Sequence, residues 1–193
     1  MNETSTRTYR AEQGVATAAY APQLAIYHAN KNGTGCAMKM ELHPARGGED
    51  GCFMLILANQ MTVGVGSGAA RTFSKFNWER RITVKLDFSD ICRIMQVFRG
   101  ETESIDDGRG LFHDCGRYQT RLVLRHIVTP VQAYSLEVYR NSKSGGYDAS
   151  SHIILSSSEA YGIFTALEHS IAFICFGVPG AYGAAGVKNV SAA

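Results

Sequence analysis

The sequence predicts an α+β fold: two four-stranded antiparallel sheets and two helices, in the order four strands, helix, four strands, helix. Three observations carry that prediction. Short runs alternate apolar with polar residues, as strands with one buried face do. Helical spacing appears in two places, each after a set of four such runs. Each helical stretch also carries its own start and stop signals.

Residues 1–22 are small and polar and are expected to form a flexible arm. Strands are predicted at Leu24–Ala29, Cys36–Leu42, Cys52–Gln60 and Arg80–Phe88. The turn-rich "NKNGTG" and "HPARGGEDG" and the Gly-rich "TVGVGSGAA" separate them. In the fourth, Ile82, Val84, Leu86 and Phe88 alternate with Arg81, Thr83, Lys85 and Asp87. A helix is predicted to follow, with Ser89 as its N-cap and Asp90 in its first turn. Ile91, Ile94, Met95 and Phe98 fall at helical spacing, and Gly100 sits at the C′ position.

An acidic, turn-like stretch, Glu101–Gly110, leads to four more strands at Gly110–Asp114, Tyr118–Val128, Ala133–Arg140 and His152–Leu155. "RYQTRLVLRHIV" also fits a helix, because Arg117, Arg121 and Arg125 share a face at either period. The clean alternation of Tyr118, Thr120, Leu122 and Leu124, with a β-branched end, favours a strand. The last helix opens on the capping box Ser156-x-x-Glu159, and Gly177 and Pro179 stop it. Its second half, "IAFICFGV", is apolar on every face. Such a surface needs burial, here against another chain, with Ile171, Phe173, Ile174 and Phe176 as the expected oligomer interface. Residues 180–193 read as a flexible Gly/Ala-rich tail, leaving 23–179 as the domain.

Composition narrows the function classes. A net charge of +2 is too small for bulk attraction to nucleic acid or anionic lipid, so any such partner must meet a local patch. No apolar run reaches the roughly 18 residues a membrane span needs, and the polar "MNETSTRTYRAEQG" lacks a signal-peptide core. Five cysteines at irregular spacing favour reduced thiols, hence the cytoplasm or another reducing compartment such as a nucleoid or organelle matrix, not secretion.

Three stretches carry a family resemblance. "GCFMLILANQ" looks like a third strand. "FNWERRITVKLDFSDICRIMQV" looks like an aromatic-x-Trp-x-Arg start to a strand followed by a first helix, with "LFHD" after it. "SHIILSSSEAYGIFTALEHSIAFICFGVPG" looks like a last strand and a long C-terminal helix. Together they resemble the whirly-type single-stranded nucleic-acid-binding proteins: plant whirly proteins, kinetoplastid mitochondrial guide-RNA-binding proteins, and smaller PC4-like relatives. Where the plant proteins carry Lys-Gly-Lys-Ala-Ala-Leu, this chain reads "NGTGCAMKM", so the resemblance implies nothing about the larger assembly that motif supports. It does imply binding of single strands and four copies meeting through the last helix.

Single-strand binders set cations along phosphates and aromatic platforms under unstacked bases. Helices packed on one side of each sheet leave the opposite faces for that task. The expected binding residues are Lys39, Phe76, Trp78, Arg80, Arg81, Lys85, Arg117, Tyr118, Arg121, Arg125, Tyr139, Arg140 and Lys143, with Tyr147 as a further platform. Two readings of Trp78 stay open: a base platform, or a core residue closing the sheet against a helix. Basic residues on an open sheet face also serve simply as solubilising charge.

Other signals carry less. Gly64-x-Gly66-x-Gly68 misses the dinucleotide fingerprint and precedes no crossover helix, so a hairpin loop is the better reading. His113-Asp114-Cys115 has metal-type ligands but no second pair at ligand spacing. His169 reads as an interface or core histidine. No Gly-x-Ser-x-Gly motif or P-loop is present. The expectation is a non-enzymatic binder of single-stranded DNA or RNA, without cofactor or metal, in transcription, recombination, or genome or plasmid maintenance. The alternative is an oligomeric protein-interaction module that binds no nucleic acid.

Overall fold

The computed structural model describes residues 23–67 and 70–179; the expected arm at 1–22 and tail at 180–193 lie outside the described residues. The strands are β1 (Gln23–His28), β2 (Cys36–His43), β3 (Cys52–Thr62), β4 (Lys75–Phe76) and β5 (Ile82–Leu86), then β6 (Leu111–Asp114), β7 (Tyr118–Ile127), β8 (Ala133–Ser142) and β9 (Ala149–Ser156). Helix α1 (Phe88–Phe98) closes the first set and α2 (Ser157–Phe176) the second. All pairings are antiparallel. In the first sheet β1, β2 and β3 lie in order, and β4 and β5 both pair with β3 on its far side. Five strand segments thus fill four places. The second sheet runs β6-β7-β8-β9.

The fourth place of the first sheet departs from the uninterrupted strand expected over Arg80–Phe88. That strand is shortened to β5 at Ile82–Leu86, and a 3-10 turn at Trp78–Arg80 separates it from the short, unexpected β4. The Asn77 side chain accepts from the Arg80 N–H at 3.1 Å, and the Arg81 guanidinium donates to the Trp78 carbonyl at 2.9 Å. These local bonds take up backbone groups that a strand would offer to its neighbour, so the chain turns. The helix also begins earlier than Ser89. Asp87 is its N-cap: its carboxylate accepts from the Asp90 N–H at 2.9 Å, and the Asp90 carboxylate accepts from the Asp87 N–H at 3.3 Å. This is a reciprocal cap built with Asp in place of the usual Glu or Gln, and it draws Phe88 into the helix.

The predicted cap of α2 is present. Ser156 Oγ accepts from the Glu159 N–H at 3.3 Å, and Glu159 Oε2 accepts from the Ser156 N–H at 2.8 Å. Gly177, at φ +71°, ends the helix. The stretch Tyr118–Ile127 is a strand, as its alternation predicts.

One core joins both sheets. Met38, Leu55, Leu57 and Val84 meet Leu122, Leu124, Leu136 and Leu155, and Ile91 of α1 with Ile163 and Leu167 of α2 close it. Each fully buried aliphatic side chain of this kind contributes about 1.5–3 kcal/mol. Asn59 Nδ2 donates to the Ser150 carbonyl at 2.8 Å, tying β3 to β9 where the sheets meet. The far end of α2 is seated on the β2–β3 hairpin: Ala45 N–H donates to the Phe173 carbonyl at 2.9 Å and Gly51 N–H to the Ile174 carbonyl at 3.0 Å. A Cβ at Gly51 would lie 2.7 Å from Ile174 Cα, so this approach requires glycine. No helix among the described residues is long and apolar enough to cross a membrane.

Candidate nucleic-acid interface

The pleat sorts each strand into a core face and an outer face. On β1, Leu24 and Ile26 turn inward and Ala25 and Tyr27 outward; in register with them, Ala37 and Lys39 on β2 and Ile56 and Ala58 on β3 also face out. Tyr27, 54% exposed, stands over a row of small residues, Ala37 and Ala58. Its ring lies 5.7 Å from Phe76 and 6.4 Å, edge-on, from Trp78. The ammonium of Lys39 sits 4.4 Å above the Trp78 ring. The 3-10 turn is what aims Trp78 back across the sheet, and neither it nor Phe76 is fully buried. Trp78 thus lies with Tyr27 and Lys39 on the outer face, not against a helix. The aromatic-x-Trp-x-Arg start builds a half-open aromatic surface, and Thr83 and Lys85 continue the outer face along β5.

The second sheet repeats the ingredients in a different arrangement. Its outer face carries Gln119, Arg121 and Arg125 on β7, Ser135, Glu137 and Tyr139 on β8, Ser150 and His152 on β9, and Phe112, 61% exposed, on β6. Arg121 stacks 5.0 Å from the Tyr139 ring. Glu137 is the hub: it accepts from Arg125 Nη1 at 3.1 Å, from Ser135 Oγ at 3.2 Å, and from the Tyr139 hydroxyl. Ser135 Oγ also lies 3.1 Å from His152 Nε2. The Tyr139 hydroxyl bond is the main cause holding the Glu137 carboxyl below its ordinary range, and that carboxylate pushes the Tyr139 phenol up.

Between the sheets, the 3-10 turn meets the ends of β7 and β8. Arg140 donates to the Arg81 carbonyl at 3.3 Å and stacks 4.9 Å from Tyr118; Arg80 stacks 4.9 Å from Tyr147. Tyr118 and Arg140 belong to the core-side face by parity, in register with Ser142 and Thr120. They reach this junction because they lie at the sheet's end, beyond the apolar core.

Most of the expected binding residues thus fall into two neighbouring surfaces and the seam joining them. Lys143 is committed to an ion pair with Asp114, whose carboxyl it holds low, and Arg117 stands exposed at the nearby β6–β7 turn. Among the expected interface residues, Phe176 is 78% exposed and Ile171 and Phe173 are partly buried, but Ile174 is only 1% exposed and belongs to this chain's own core. The apolar end of α2 is therefore satisfied in part within one chain. Sequence reading passed over Tyr27 and Phe112, although each occupies an outward position in an alternating run. Nor does the sequence reveal that Glu137 gathers Arg125, Ser135 and Tyr139. His113 pairs with Asp90 at 3.0 Å, joining β6 to the start of α1. Among the described residues no group of three or more His, Cys, Asp or Glu could hold a metal ion.

Two sheets sharing one core, each followed by a helix, with outer faces left open, form a whirly-like α+β fold. Solved structures of that type are similar across most of this chain. WHY1 from Arabidopsis thaliana superposes with a TM-score of 0.63 at 16% identity, covering 83% of this chain and 88% of that one. The plant transcriptional regulator PBF-2 gives 0.58 at 18% identity, covering 82% and 84%. A guide-RNA-binding protein complex bound to a gRNA gives 0.55 at 14% identity, covering 81% and 93%. Identities this low make the likeness one of fold. No protein-family model and no curated protein matches the sequence.

Proposed function

We propose that this protein binds single-stranded nucleic acid without catalysis and with little sequence preference, using the outer faces of its two sheets. The observation that carries the reading is the half-open cluster of Tyr27, Phe76 and Trp78 with Lys39 above the indole. Unstacked bases seek such rings, and stacking contributes about 1–3 kcal/mol per base whatever the sequence. Arg81 and Lys85 beside the first sheet, and Arg121 and Arg117 on the second sheet and its β6–β7 turn, would supply phosphate contacts. The similar solved structures include a transcriptional regulator and a gRNA-bound complex, which agrees with this reading. The cellular role we assign is transcription, recombination, or genome or plasmid maintenance, in a reducing compartment.

Fluorescence anisotropy with labelled single- and double-stranded oligonucleotides, DNA and RNA, across a salt series tests the proposal. Single strands should bind more tightly than duplex, and affinity should fall as salt rises, because each phosphate contact releases counterions. Equal affinity for duplex defeats the stacking element, and binding that is flat in salt defeats the electrostatic one.

We further propose a homotetramer assembled through α2. Exposed Tyr161 and Phe176 on that helix support self-association. Phe176→Asp should lower the mass measured by light scattering while the fold survives. Ile174→Asp should unfold the chain instead, since that side chain is in the core. A folded wild-type monomer at micromolar concentration defeats the tetramer and leaves that helix face to the alternative, a docking site for another protein.

A further inference from the structure

A groove of about 640 Å3 opens at the end of the first sheet, between the β1–β2 turn and the glycine-rich β3–β4 loop. Tyr27 and Phe76 form one side of it, and Phe73, 73% exposed, stands on the loop opposite. Lys31 and Arg71 supply its charge, with the Arg71 guanidinium 5.2 Å from the Phe73 ring; among the described residues no acidic one lines it.

The walls are built, not incidental. Gln60, almost fully buried, accepts from the Asn30 and Gly35 N–H groups at 2.9 and 3.1 Å. Its amide donates to the Asn30 and Thr62 carbonyls at 2.9 and 3.1 Å. The same amide reaches Ser74 Oγ at 3.4 Å, so one side chain ties the β1–β2 turn and the far arm of the glycine-rich loop to β3. The arms of the glycine-rich loop are then pinned together: Gly64 N–H donates to Ser74 Oγ at 2.9 Å, and Val65 N–H to Thr72 Oγ1 at 3.0 Å. A Cβ at Gly64 would lie 2.6 Å from the Thr72 carbonyl oxygen, and Gly66 sits at φ +84°. These two glycines serve the close approach of the arms, which the sequence pattern alone left unexplained.

We propose that this groove takes a further nucleotide of the bound strand, its base against Phe73, Phe76 and Tyr27 and its phosphate at Arg71 and Lys31. The inference rests on the single-strand reading above and extends its path past the sheet. Two observations favour a strand-borne nucleotide over a free one. The aromatic floor is continuous with the Trp78 platform through Tyr27, and the groove carries positive side chains with no acid among the described residues to oppose a phosphate.

The test is anisotropy on oligothymidylates of graded length, with wild type, Phe73→Ala and Arg71→Gln, each checked for an unchanged melting temperature. In the wild type, affinity should rise with length until the groove is filled. Phe73→Ala should remove the last increment, leaving long oligonucleotides about tenfold weaker while strands too short to reach the groove bind both proteins alike. Arg71→Gln should lower the salt slope by about one. Wild-type length dependence in both variants overturns the groove while leaving the sheet surface standing. A wild type that binds no strand of any length overturns both. Binding of adenosine monophosphate as tight as that of the long strand would make this a free-nucleotide pocket and also overturn the assignment.

Discussion

The two outer faces hold the same residue types and differ in what those residues already touch. On the first sheet, Phe76 and Trp78 both pack against Tyr27 and Lys39 sits over the Trp78 ring, so the contacts are ring to ring and cation to ring. On the second, Arg125 and Tyr139 are bound to the Glu137 carboxylate, and Arg121 rests on the Tyr139 ring. A base landing on the first cluster competes with ring–ring and cation–ring contacts, including the Lys39 ammonium over Trp78, rather than with a carboxylate–arginine pair. A phosphate approaching the second must compete with a carboxylate for the arginine, and the exchange returns only the difference between two similar contacts. The first face should therefore supply most of the affinity, and the second should tune it.

The largest effect expected is at Trp78. Trp78→Ala should weaken single-strand binding by about 1–3 kcal/mol with the salt slope nearly unchanged, because the ring contributes stacking and no charge. Anisotropy at several salt concentrations measures both numbers. A sharp loss of melting temperature, with binding intact in the folded fraction, would instead make Trp78 a structural residue and remove the first face from the argument.

Arg121→Ala should cost less, about 1 kcal/mol, spread evenly over all sequences, with the salt slope reduced by roughly one phosphate contact. An unchanged slope would mean that Arg121 serves only to brace Tyr139.

Glu137→Gln sharpens the comparison further. It removes one negative charge from the second face and releases Arg125 for phosphate. Affinity should rise by a few tenths to about 1 kcal/mol, the scale of an exposed ion pair, and the salt slope should steepen. Weaker binding would show that the carboxylate's main task is to hold Tyr139 in position.

Much of this architecture is legible in the sequence because its signals are local. Alternation over Ile82–Leu86 marks β5, and the Ser156 and Glu159 pair marks the start of α2. What escapes is decided by contacts remote in sequence or by competition between local bonds. Asn77 and Arg81 shape the 3-10 turn that delays the start of β5; an alternating pattern does not reveal that. Ile174 reads as surplus apolar surface until the β2–β3 hairpin folds over it. The candidate surface divides the same way. Parity puts Lys39, Arg121 and Tyr139 outward correctly, and it also places Tyr27, which only the folded cluster makes conspicuous. It cannot tell that Glu137 faces three partners from its own and the adjoining strand.

The smallest expected effect concerns the joint between the halves, where His113 on β6 meets Asp90 at the start of α1. The hydrogen bond to Asp90 is the leading cause that raises the His113 imidazole above its ordinary 6.5; burial opposes it, and the charges of Asp90 and Asp87 add to it. The folded value therefore exceeds the unfolded one. The pair stabilises fully below about pH 6.5, and this contribution is lost as pH rises through the folded value. Its size should be at most about 1 kcal/mol, since both groups keep some contact with water. Denaturant titrations at several pH values should show wild-type stability declining over that window, and His113→Gln should flatten the decline. Binding at the outer faces should follow neither change, because His113 lies on the opposite side of the sheet from Arg121 and Tyr139. A decline that persists in His113→Gln would assign the pH dependence to another group.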